Sequence, residues 1–299
     1  MKIDHTASFL IAKLSPHPQE WYASGCSNTI LLFKPSFLKL TTVLLILATF
    51  VLGACGKKEA TGLAAIKEKG QLIIGLDDTF APMGFKDDKG EIVGFDIDLA
   101  KEVAKRIGVE AVFKPSEWSG IVFELKSKNI DVVWNGMTIT EDRNKEIGFS
   151  NPYMNNNQII VTLSGSTLNN KADLNGKIIG LQLGSSSFNA VSADEISKSF
   201  KEIKKYDTNV EALMDLEAGR IEAVVLDEIV ARYYIAQKEK DTNKDLFKVL
   251  DGDFGTEEYG VGIRQEDKDL KDEIDRIIDE MKKDGSYDAI YEKWFGKKG

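Results

Sequence analysis

Beyond residue 55 the sequence contains neither histidine nor cysteine: His5, His17 and Cys26 all lie earlier, and Cys55 is the last thiol. The body of the chain therefore cannot hold a Ser-His-Asp or Cys-His nucleophile, a zinc site built on imidazole or thiolate, or a disulfide. Carboxylate chemistry stays open. Excess positive charge is also missing. The formal net charge of −9 becomes −11 without residues 1–54, which carry Lys2, Lys13, Lys34 and Lys39 against Asp4 and Glu20. That sign argues against nucleic acid as a partner, because such binding neutralises phosphates with Lys and Arg. No Gly-x-x-x-x-Gly-Lys-Ser/Thr loop occurs to hold a nucleotide, and nothing calls for a cofactor or a metal.

Long apolar runs are scarce too. Leu40 to Ala54 is uncharged and follows Lys39, but a spanning helix needs about 20 apolar residues, so its length and flank fit a signal core. It ends in Leu52-Gly53-Ala54-Cys55, which resembles a bacterial lipobox; the resemblance implies that Cys55 is diacylated, as with palmitate, and becomes the mature N-terminus. Residues 1–54 are then a signal peptide with a long extension in front. No methionine lies between Met1 and Met83, and translation from Leu38 would give a signal of ordinary length. Residues 55–62 read as the lipidated cysteine and a polar tether. The 245 residues that follow residue 54 suit one large or two small domains.

The remaining chain is organised around Ile130 to Arg143. Ile130 to Trp134 is short and β-branched, as expected of a strand buried on both faces of a parallel sheet. Asn135, Gly136 and Thr138 follow its carboxyl end, where open α/β sheets bind ligands. Thr140, with Glu141 and Asp142 after it, reads as a helix N-cap that fixes Arg143 beside the strand exit. A guanidinium so placed suits a carboxylate gripped by two parallel hydrogen bonds; a structural salt bridge is the other reading of the same residue.

Leu72 to Leu76 reads as an earlier buried strand, left through the loop Asp77 to Pro82. Gly94-Phe95-Asp96-Ile97-Asp98-Leu99 opens a helix with Val103, Ala104 and Ile107 on one face, closed by Gly108. Its acidic first turn suits the helix dipole, which is role enough for Asp96 and Asp98. Trp118 leads into a short helix that Asn129 closes. Gln158 to Leu163 is a β-rich run crossing into a second lobe, and Tyr259 to Ile263 is a strand returning to the first. The final helices, residues 267–283 and 286–295, are amphipathic, with Trp294 and Phe295 as core.

Two internal echoes support two similar α/β units: Ile73-Ile74-Gly75-Leu76 recurs as Ile178-Ile179-Gly180-Leu181, and Leu125 through Asp131 recurs as Leu216 through Glu222. Lobe 1 comprises residues 63–155 and 258–299, lobe 2 residues 156–257. Each unit offers two loops to one cleft: Asp77 to Phe80 and Asn135 to Arg143 from the first, Gly184-Ser185-Ser186-Ser187 and Asp227 from the second. The serine run at a helix N-terminus favours an anion. Asp227 at a strand exit favours an ammonium. Together these sites describe an α-amino acid; helix capping is the plainer reading of both.

The Gly94 to Leu99 segment, with Val103, Ala104 and Ile107, resembles the signature of the family 3 extracellular solute-binding proteins. The likeness covers nearly all of residues 66–296 and includes Thr138-Ile139-Thr140 with Arg143, the Gly184 serine run, Asp227, Tyr259-Gly260-Val261-Gly262 and Tyr291 to Phe295. It implies a two-lobe type II periplasmic-binding-protein-like fold, α/β, each lobe a mixed sheet flanked by helices and joined by a two-strand hinge. It implies a monomeric, lipid-anchored receptor on the extracytoplasmic face of the membrane that delivers a polar amino acid to ABC permease subunits and is not an enzyme. Arg143 and the Ser186 region would take the α-carboxylate; Thr138, Gly136 and Asp227 the α-ammonium; Asp77, Phe80 and Trp118 the side chain. Asn135 and Gln182, before Leu183-Gly184, depart from commoner residues at specificity positions, so lysine, arginine, glutamine, histidine and cystine stay open as ligands. Dehydratases and peptidoglycan-cleaving enzymes use the same fold, with Glu258 or Asp78 as the acid or base to consider.

Overall fold

A computed structural model describes residues 60–297. Residues 1–59, which include Leu38, the apolar run and Cys55, lie outside the described residues, so the signal and lipidation expectations have no structural counterpart here.

The chain begins with helix α1 (Gly62–Lys69), closed by Gly70, and strand β1 (Gln71–Leu76). Strands β2 (Thr79–Phe80), β3 (Gly84–Lys86) and β4 (Ile92–Val93) form a small antiparallel meander. Helix α2 (Phe95–Ile107), strand β5 (Glu110–Pro115) and helix α3 (Ile121–Lys126) follow. Then come β6 (Val132–Val133), α4 (Glu141–Glu146) and β7 (Gly148–Phe149). The long strand β8 (Met154–Leu163) leads into a second α/β unit: β9 (Ile178–Gln182), α5 (Ser186–Ala193), β10 (Glu202–Tyr206), α6 (Asn209–Glu217), β11 (Ala223–Asp227) and α7 (Glu228–Thr242). Strand β12 (Phe247–Tyr259) returns to β13 (Gly262–Ile263), and α8 (Lys268–Asp284) and α9 (Ser286–Phe295) finish the fold.

Two mixed sheets result, ordered β5-β1-β6-β13-β7 and β10-β9-β11-β8-β12. In each, three parallel strands meet antiparallel ones supplied from elsewhere in the chain. The sequence echoes are physical repeats of this arrangement. Asp131 Oδ2 accepts from Ile73 N at 2.7 Å, and Glu222 Oε2 accepts from Ile178 N at 2.8 Å. Ile130 and Ile221 lie over Gly75 and Gly180, where an added Cβ would meet their Cδ1 atoms at 2.3 and 2.5 Å. A larger residue at either glycine would force the isoleucine side chain above it to move.

The sheets are linked by β8 and β12, which pair antiparallel from Phe247↔Leu163 to Tyr259↔Met154 with two register shifts. The first-lobe core gathers around Phe95, Trp134 and Tyr259, all fully buried. Helix α9 packs on it, with Phe295 5.1 Å from the Phe95 ring and Trp294 Nε1 donating to Asp98 Oδ2 at 2.7 Å. The expected core role of Trp294 and Phe295 is what the fold uses.

Three local expectations change. The strand expected over Ile130 to Trp134 is regular only at Val132 and Val133, although Asp131 N and Trp134 N still donate to β1 carbonyls. Asn129 does not close α3; the chain turns at Lys128, whose φ is +62°. Asp96 is no exposed dipole partner either. It is fully buried, and its Oδ2 accepts from Gly136 N at 2.6 Å and Tyr153 Oη at 2.9 Å.

Candidate ligand-binding cleft

Phe80, Trp118, Asn135, Gly136, Thr138, Arg143, Gln182, Ser185, Ser186 and Asp227 line one cavity between the two sheets. The other two residues expected there adjoin it: Asp77 accepts from Gln182, and the carbonyl of Gly184 accepts from Arg143. Strand exits supply nearly all of these groups. Asp77 follows β1, Asn135 and Gly136 follow β6, Gln182 ends β9 and Asp227 ends β11.

Arg143 is held from behind and leans across the cleft. Thr140 caps α4, its Oγ1 accepting from Arg143 N at 3.2 Å. The guanidinium donates through Nη1 to Thr138 O at 2.8 Å and through Nη2 to Gly184 O at 3.0 Å, joining the two units. It also sits over the Trp118 ring at 5.6 Å, within cation–π range. Among the described residues no salt bridge joins Arg143 to a carboxylate, and Glu257 and Asp227 act on it only at a distance, so the guanidinium keeps its charge available to an anion.

Across the gap, Thr138 Oγ1 and Ser186 Oγ lie 3.0 Å apart. Ser185 is the N-cap of α5, its Oγ accepting from Phe188 N. This leaves Ser186, one position inside the helix, to face the cleft. Gly136 makes the opposite wall possible: its φ is +58°, and an added Cβ would stand 2.7 Å from Phe80 Cε1. Asp96 holds that turn in place by accepting the Gly136 N–H. Burial pushes the Asp96 carboxyl up to about 7.

Asp227 precedes α7 but makes no side-chain cap hydrogen bond, so the capping alternative fails. Its Oδ1 instead accepts from Asn156 Nδ2 at 2.7 Å, Gln158 Nε2 at 3.0 Å and Tyr259 Oη at 2.7 Å. Burial, and then the nearby Glu257, raise its carboxyl well above the ordinary value. Asp77 is buried as well and is raised chiefly by burial, against hydrogen bonds from Thr79 and Gln182. Asn135 Oδ1 accepts from Asp77 N at 3.0 Å and so fixes that loop. Phe80 and Trp118 stand with parallel rings, 2° between planes and 6.4 Å between centroids.

Glu257, Asn156, Gln158 and Tyr259, which bond to the lining residues Thr138, Ser186 and Asp227, are not among the residues expected at the cleft. All four lie on β8 or β12, whose alternation identifies them only as strand residues; the antiparallel register Glu257↔Asn156 is what aims them inward. Asp78 and Glu258, considered as an enzyme's acid or base, are elsewhere. Asp78 pairs with Lys86, and the Glu258 carbonyl accepts from Ile139 N.

Two mixed α/β sheets joined by paired crossing strands, with one charged cleft between them, define a binding protein of the type II periplasmic kind. The chain belongs to the bacterial extracellular solute-binding proteins, family 3, which it matches over residues 72–297. It is 36% identical over 236 residues to the L-cystine-binding protein TcyJ of Escherichia coli K12, covering 78% of this chain and 86% of that one. An ancestral arginine-binding protein bound to arginine superposes with a TM-score of 0.71 at 45% identity, over 76% of this chain and 99% of the other. An ABC uptake transporter substrate-binding protein from Streptococcus pneumoniae with bound histidine gives 0.72 at 35% identity, over 77% and 94%. No helix among the described residues is long and apolar enough to cross a membrane.

Proposed function

We propose that this protein is the extracytoplasmic receptor of an ABC importer and binds a polar L-α-amino acid between its lobes. The observation that carries the reading is Arg143 and Asp227 lining a single buried cavity. A guanidinium with no salt-bridged carboxylate among the described residues and a buried carboxylate match the two charges every α-amino acid carries. Arg143 and Ser186 take the carboxylate. Thr138, Asp227 and the Gly136 backbone take the ammonium. Asp77, Phe80, Trp118, Asn135 and Gln182 surround the side chain.

Two flat aromatic faces and a buried carboxylate favour a side chain that is planar or cationic, stacked by Phe80 and Trp118 and held at its tip by Asp77. The similar proteins named for cystine, and bound to arginine and histidine, support the amino-acid frame and leave the side chain to experiment. The lobes, residues 63–155 with 258–299 and residues 156–257, would close about β8 and β12 as a hinge. The closed form would dock on the permease subunits while diacylated Cys55 keeps the receptor at the membrane. It would release its ligand unchanged.

The test is a melting-temperature screen of the purified protein, unfolded and refolded to remove carried ligand, against the twenty amino acids, cystine and ornithine. A ligand at about 100 times its dissociation constant adds roughly 2.7 kcal/mol of stability. One or two clear shifts are expected; no shift with any of them overturns the amino-acid reading.

A further inference from the structure

Beside the cleft, bonded to two of the residues that line it, stands a carboxylate that an amino-acid site does not require. Glu257 stands opposite Asn156 in the β8–β12 pair. Its Oε1 accepts from Thr138 Oγ1, Asn156 Nδ2 and Gln158 Nε2, each at 2.8 Å, and from Ser186 Oγ at 3.3 Å. Asn156 Nδ2 and Gln158 Nε2 are the same two nitrogens that donate to Asp227 Oδ1. Two acidic side chains thus converge on one pair of amides, and the nearness of Glu257 helps burial raise the Asp227 carboxyl. Two ionised carboxylates sharing one site repel, and a proton held by the pair removes that repulsion.

The groups facing the pair leave that repulsion in place. Arg143, from α4, interacts with both carboxylates at a distance, but its Nη1 and Nη2 donate to the carbonyls of Thr138 and Gly184. Tyr259, from β12, donates its hydroxyl to Asp227 Oδ1, and its own acidity is suppressed by burial and by both carboxylates. Tyr153 lies behind it, 6.3 Å between ring centroids, with its hydroxyl committed to Asp96. Thr138, Ser186, Asn156 and Gln158 are neutral.

We propose that Glu257 and Asp227 form the ammonium subsite together, and that the α-ammonium of the ligand enters by displacing a proton the two carboxyl groups share. This rests on the amino-acid reading of the cleft and adds a specificity residue to it. In the exchange the O–H bond of the shared proton breaks, the proton passes to solvent, and the ammonium N–H groups take its place between the two oxygens. The pair carries one net negative charge with the proton and again one when two carboxylates hold one ammonium. A primary ammonium fits that exchange. An N-acetyl amino acid, with no cation to replace the proton, does not.

Titration calorimetry of the refolded full-length protein at pH 7, in two buffers of different ionisation enthalpy, tests this. The probes are L-arginine, L-histidine, L-glutamine and L-cystine. The wild type is expected to release about one proton per probe bound. In Glu257→Gln, which keeps the shape and the hydrogen bonds, binding weakens and the release falls towards zero. A wild-type enthalpy that does not depend on buffer, or an unchanged release in Glu257→Gln, overturns the proposal. Infrared spectroscopy reads the pair without any ligand. The carbonyl band of a protonated carboxyl should diminish in Glu257→Gln, Asp96 contributing equally to both proteins, and an undiminished band also overturns the proposal. A diminished band with none of the four probes bound keeps the shared proton and overturns the amino acid as what displaces it.

Discussion

Gln182 Nε2 lies 2.7 Å from Asp77 Oδ2, one side chain from the end of β9 and the other from the exit of β1. The amide is aimed from its own side: Nε2 also donates to Asp207 O at 2.9 Å, and Oε1 accepts from Asn209 Nδ2 at 3.2 Å. Gln182 is therefore a fixed arm that reaches a buried carboxylate across the cleft. Gln182→Leu removes a hydrogen bond to an acidic group, a loss of about 1.5–3 kcal/mol. The affinity for the best amino acid should weaken by roughly tenfold or more. An unchanged dissociation constant in calorimetry would show that Asp77 makes no contact across the lobes in the bound state.

Arg143→Ala deletes the guanidinium proposed to answer the ligand carboxylate. The expected loss is roughly 2–5 kcal/mol of binding free energy, typical of leaving a buried charge unpaired. Arg143→Lys should recover only part of it, since an ammonium cannot reproduce the two fixed bonds to Thr138 O and Gly184 O. Near-normal calorimetric affinity in the alanine variant would place the carboxylate elsewhere.

Asp96 gives the fold an unusual pH response. Its carboxyl is shifted from 3.8 in the unfolded chain to about 7 by complete burial. Between those values the folded protein keeps the proton and the unfolded chain has lost it, so stability falls as pH rises. The contribution is present in full below the lower value and gone above the upper one. It amounts to about 4 kcal/mol across the window. Raised Asp77 and Asp227 act in the same direction, whereas a lowered carboxyl such as Asp284, at about 2, acts in more acid solution. Urea titrations at pH 5 and pH 8 should find the protein more stable at pH 5, and Asp96→Asn should flatten that difference. An equal slope in the variant would assign it to other groups.

How much of this was legible in the sequence depends on where each residue's partners lie. The strand exits were readable because short β-branched runs end in polar, glycine-containing turns, so Asp77, Asn135, Arg143 and Asp227 could be placed in one cleft. The repeat was readable from the Gly75 and Gly180 strands because both glycines answer the same packing demand. Asp96 was misassigned because the first turn of any helix tolerates an aspartate; only the return of Tyr153 and Gly136 from distant segments buries it. Glu257 was invisible for a similar reason. The run Glu257-Glu258 offers two equivalent carboxylates, and pairing with β8 alone decides which of them turns inward.

The strand that carries Glu257 is also one of the two that join the sheets, so in the proposed subsite cargo and pivot would touch. A substitution there would alter how firmly the ligand is held and how readily the lobes part in a single step. Residence time and affinity would thereby be geared together, and a variant engineered for faster release would have to be sought away from that strand, at Arg143 or Gln182.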